Sequence, residues 1–70
     1  MIDVNTHVRI VASEELSEMK LSELVGRTGY IAEDLAHPAR KNRGYIVLLD
    51  EPFMRAWLWF IPEKSVCYED

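Results

Sequence analysis

Tyr45-Ile46-Val47-Leu48-Leu49, then Asp50-Glu51-Pro52, then Ala56-Trp57-Leu58-Trp59-Phe60-Ile61: the fold turns on this stretch. Its two runs are dense in β-branched, aromatic and large aliphatic residues, which predicts two strands, the first closed by a turn at Asp50-Glu51-Pro52. Side chains alternate between the two sides of a strand, so in the second run Leu58 and Phe60 point one way while Trp57, Trp59 and Ile61 point the other. Both sides are apolar. One fills a core, and the other is either covered by another part of the chain or left as a surface.

Working toward the N-terminus, residues 30–34 (Tyr-Ile-Ala-Glu-Asp) resume an extended pattern after Gly26-Arg27-Thr28-Gly29, which reads as a turn because glycine reaches positive φ without steric cost. Residues 13–25 break the period of two. Leu16 and Met19, then Leu21 and Leu24, are spaced by three, and Ser13 followed by Glu14 and Glu15 suits a helix start with acids in its first turn. The interruptions limit this to one or two helical turns within a long loop. In residues 6–12, Val8, Ile10 and Ala12 alternate with Arg9 and Val11, which predicts the opening strand.

Toward the C-terminus, Pro62-Glu63-Lys64-Ser65 predicts a short 3₁₀ turn, since proline suits its start, and Val66-Cys67-Tyr68 a brief last strand. Between the second and third strands, residues 35–42 carry Pro38 and read as an exposed loop, with Arg40, Lys41 and Arg43 clustered at its end before Gly44.

Five short strands, a loop of more than ten residues after the first, and a 3₁₀ turn before the last resemble the order of SH3-like barrels. The Gly26-x-x-Gly29-x-Ile31 element followed by a Val-Leu strand resembles the KOW type found in ribosomal and transcription proteins. Ile61-Pro62-x-x-x-Val66 resembles the end of eukaryotic SH3 domains, and similar barrels serve as small accessory subunits in electron-transfer and hydratase complexes. The resemblance implies a mostly β chain forming one SH3-like barrel domain over residues 1–70, with its core at about 6–68.

Seventy residues allow one core and no second. At 49% apolar the chain is too rich for intrinsic disorder. The lone Cys67 has no partner for an internal disulfide, which fits a cytoplasmic setting. No membrane span or export signal is read. The net charge of −4 is opposite in sign to what a domain built to neutralise phosphates needs, although Arg40, Lys41 and Arg43 form a local basic tip.

Two function classes follow. In the first, a non-catalytic protein-interaction module or accessory subunit, Trp57 and Trp59 with Tyr45 in support form the binding patch for a protein partner or a second copy. The bland counterpart is that Leu16, Met19, Leu21 and Leu24 fold over the tryptophans and bury them. In the second class, Arg40, Lys41 and Arg43 grip nucleic acid, with Tyr30 or Tyr45 stacking on bases. His7, His37 and Cys67 lack metal-ligand spacing, and no cofactor is expected. No catalytic constellation is legible, and a barrel this small has little room for a ligand cavity of ~300 Å³ or more.

Overall fold

The computed structural model describes residues 2–39 and 41–69. The chain is mostly β, with five strands in one antiparallel sheet and a few helical turns. In chain order these are β1 (His7–Ile10), the short helix α1 (Glu14–Glu18), a 3₁₀ turn (Ser22–Leu24), β2 (Thr28–Leu35), β3 (Gly44–Phe53), β4 (Ala56–Pro62), a second 3₁₀ turn (Glu63–Ser65) and β5 (Val66–Tyr68). The spatial order is β4-β3-β2-β1-β5. Among the described residues no pairing joins β4 to β5, so hydrogen bonding leaves the sheet open.

The register sorts the side chains. Val8 pairs with Gly29 and Gly29 with Leu49, while Ile31 pairs with Val47 and Val47 with Trp59, so these positions share one face. On that inner face Val8, Ile10, Ile31, Val47, Leu49 and Ile61 are buried. Leu16 and Leu24 from the long first loop complete the core, with Leu21 packed against it. Met19, expected beside them, is exposed.

The loop is anchored at its entry. Ser13 adopts an extended conformation and accepts a hydrogen bond from the Leu16 N–H at 3.1 Å, which caps α1 and aims Leu16 inward. Its hydroxyl also bonds that of Ser65, the one buried polar residue among those described. At the far end Gly26 takes φ 90°, and its N–H donates to the Ile10 carbonyl.

Two local expectations are corrected. Gly29 is not a turn residue: it lies inside β2, where a Cβ would collide with the Leu48 carbonyl and the Val47 side chain. Asp50-Glu51-Pro52 does not close the strand, because β3 runs on to Phe53 and the two-residue turn is Met54 and Arg55, both at positive φ (50° and 65°) as a type I′ hairpin requires. Between the pairs Leu48–Leu58 and Phe53–Ala56, residues 49–52 of β3 face Trp57 alone. Pro52 sits in that bulge, where it interrupts no ladder bond.

Candidate functional site

The alternation that buries Gly29 and Ile31, and Val47 and Leu49, turns Tyr30 and Leu48 to the other face. Tyr30 pairs with Leu48 and Leu48 with Leu58, so the three form one row across β2, β3 and β4. All three are exposed, with Leu58 the most so at 56%. His7 extends the row onto β1, its ring centroid 4.6 Å from that of Tyr30. Half-buried Ile46 and Phe60, themselves paired, lie alongside. Large apolar side chains gathered on one sheet face mark an interaction surface more than scattered ones do.

The tryptophan reading is redistributed. Tyr45 is buried at 2% exposure, with its hydroxyl accepting from the Ile2 N–H, so it is part of the core and not of any surface. Trp59 is half-buried: its ring meets Phe53 edge-on at 5.4 Å and its Nε1–H donates to the Ala56 carbonyl at 3.1 Å. The Arg27 guanidinium covers the other partner of that contact, 4.9 Å from the Phe53 ring centre. Trp57 is exposed because the β3 bulge leaves it without a matched neighbour. The three side chains therefore form no single patch. The sequence reading set Leu58 and Phe60 on the face opposite the tryptophans without deciding which face is buried, and it did not single out Leu48, which the same alternation applied to β3 turns outward.

The basic loop also has a different setting. Arg40 lies outside the described residues. Lys41 and Arg43 line an open groove of about 660 Å³, larger than the sequence reading allowed, together with Glu15, Glu18, Glu63 and Lys64. Its apolar lining is Met19, Phe60 and Pro62. One arm of the Arg43 guanidinium donates to the Pro38 carbonyl at 2.8 Å. Three carboxylates among the cations make this a mixed-charge groove and not a basic tip.

A polar clamp joins the first three strands. Asp50 accepts hydrogen bonds from Thr28 and from His7 Nε2 at 3.0 Å, both on the same oxygen. The Thr28 bond, and then the His7 bond, hold the Asp50 carboxyl below its ordinary value. The carboxylate sits between the hydroxyl and the imidazole, so the imidazole is not placed to take the hydroxyl proton. His37 lies elsewhere, in the loop, where its Nδ1 accepts from the Ala39 N–H. Cys67 is on β5 opposite Arg9. Among the described residues no group of three His, Cys, Asp or Glu converges as a metal site. No described helix is long and apolar enough to cross a membrane.

Comparison with known proteins finds no matching family model, no matching curated protein and no matching solved structure. The functional reading accordingly rests on the chemistry of these surfaces.

Proposed function

We propose that the chain is a non-catalytic protein-interaction module or small accessory subunit of SH3-like barrel architecture. The strand order β4-β3-β2-β1-β5, the long first loop and the 3₁₀ turn before β5 are compatible with such a barrel. The observation that carries the functional part is the exposed Tyr30–Leu48–Leu58 row, because water-facing apolar side chains in register across adjacent strands gain most when a partner covers them. The nucleic-acid reading finds less support, since Glu15, Glu18 and Glu63 share the groove with Lys41 and Arg43 and repel phosphate.

The test is a photo-crosslinking residue placed at position 30, 48 or 58 in the cell that makes the protein, compared with the same residue at Glu51 and Lys20, which are also exposed. The reading expects discrete protein adducts from the three row positions and none from the controls. Adducts from the controls alone, or to nucleic acid, would overturn it.

A further inference from the structure

Strand β4 is an outer strand of the sheet, and from Ala56 to Pro62 it contains no charged residue. Exposed edges in proteins are normally guarded by charges, bulges or short length, because unpaired N–H and C=O groups recruit another strand. The only guard within β4 is Pro62, its last residue.

The free groups can be assigned. In an antiparallel ladder, residues alternate between those whose backbone polar groups face the neighbouring strand and those whose groups face away. The Glu63 N–H donates to the Arg43 carbonyl at 3.0 Å, so Ile61 and Trp59 face β3, while Leu58, Phe60 and Pro62 face the open edge. Pro62, which has no N–H to offer, falls at an outward position.

We infer that β4 pairs antiparallel with β4 of a second copy of this chain, about a two-fold axis at Trp59. In that register Leu58 of each copy exchanges both backbone hydrogen bonds with Phe60 of the other. The flanking charges select it. Arg55 precedes the strand and Glu63 follows it, both exposed and neither in an ion pair among the described residues. Pairing centred on Trp59 sets each Arg55 against the other copy's Glu63. A parallel arrangement would set like against like.

The groove gives the same answer from another direction. It adjoins Pro62 and Glu63, and so receives the other copy's hairpin tip. That tip is Met54, 74% exposed, beside Arg55. The thioether side chain would meet the Met19, Phe60 and Pro62 lining, and the guanidinium the carboxylates of Glu15, Glu18 and Glu63, in a groove that Lys41, Arg43 and Lys64 also line. This interface lies on the sheet edge and uses the backbone of Leu58, whereas the outer-face row uses its side chain.

The experiment is sedimentation velocity over a concentration series on the wild type, Arg55→Glu, Glu63→Arg, the double swap, and Tyr30→Ser as an outer-face control. Circular dichroism would verify folding of each. The expected result is a wild-type dimer whose association weakens about tenfold in each single swap, because two symmetric pairs turn repulsive at once, and returns in the double swap. Tyr30→Ser should leave it unchanged. A wild type that stays monomeric throughout, a dimer indifferent to the single swaps, a double swap that fails to restore association, or a dimer lost in Tyr30→Ser would each overturn the edge pairing.

Discussion

Leu48 and Leu58 stand directly opposite each other across β3 and β4, on the face away from the core, 42% and 56% exposed. Next to Leu58 in sequence, Trp59 points to the other face and packs on Phe53. One residue along the strand thus separates a surface side chain from a core one.

This contrast predicts a stability difference. Leu58→Ala should cost about 1 kcal/mol or less, because little buried area is lost. Ile61→Ala, at a fully buried position on the same strand, should cost roughly 2–5 kcal/mol. Urea unfolding followed by circular dichroism reads both, and equal losses would mean that the face assignment is wrong.

The two tryptophans should be spectroscopically distinct. At dilutions where the chain is monomeric, Trp57→Phe should leave the blue-shifted, acrylamide-protected emission of half-buried Trp59. Trp59→Phe should leave the red-shifted, quenchable emission of exposed Trp57. Emission from the two variants with the same maximum and quenching constant would refute the assignment.

The Ser13–Ser65 contact predicts an unusually expensive serine. Ser13→Ala removes the cap of α1 and leaves the buried Ser65 hydroxyl without this partner. The combined cost should be about 2 kcal/mol, above the ~1 typical of a cap alone. In the Ser65→Ala background the same change should cost only about the cap, so a double-mutant cycle checks the coupling. Additive losses would leave the contact without energetic weight.

How much of this was legible beforehand follows from the range of each signal. The β5 run Val66–Tyr68, the 3₁₀ turn before it and the helical turns after Ser13 are local patterns, and they could be read directly. The end of β3 could not. Asp50-Glu51-Pro52 is a stronger turn signature than Met54-Arg55, and what keeps Asp50 in the strand is a pair of bonds to Thr28 and His7, 22 and 43 residues away in sequence. Tyr45 was equally opaque: its aromatic ring and hydroxyl suit a surface as well as a core, and only the Ile2 N–H and the packed inner face decide between them. The surface row was recoverable in principle, since it needed alternation applied to β3 as well as β4, together with the register that sets Leu48 beside Leu58.

The Asp50 clamp gives this carboxylate a share in the acid dependence of stability. Its folded value lies below the ordinary 3.8, chiefly through the Thr28 hydrogen bond and then the His7 bond. A carboxyl depressed by folding contributes stability that is fully present above its unfolded value and is lost as pH falls through the folded one. The loss from this group should therefore begin near pH 5 or somewhat below, as the unfolded form titrates at about 3.9, and be complete only below the folded value. Asp50→Asn removes the titration and should flatten the fall in urea midpoint over that window relative to the wild type. Thr28→Val, which deletes the bond that lowers the folded value most, should raise only the lower end of the window, so that the loss begins at the same pH and is smaller. The other carboxylates are the same in every variant and cancel in the difference. Parallel curves for wild type and Asp50→Asn from about pH 7 to pH 2 would show that the clamp does not carry the acid dependence.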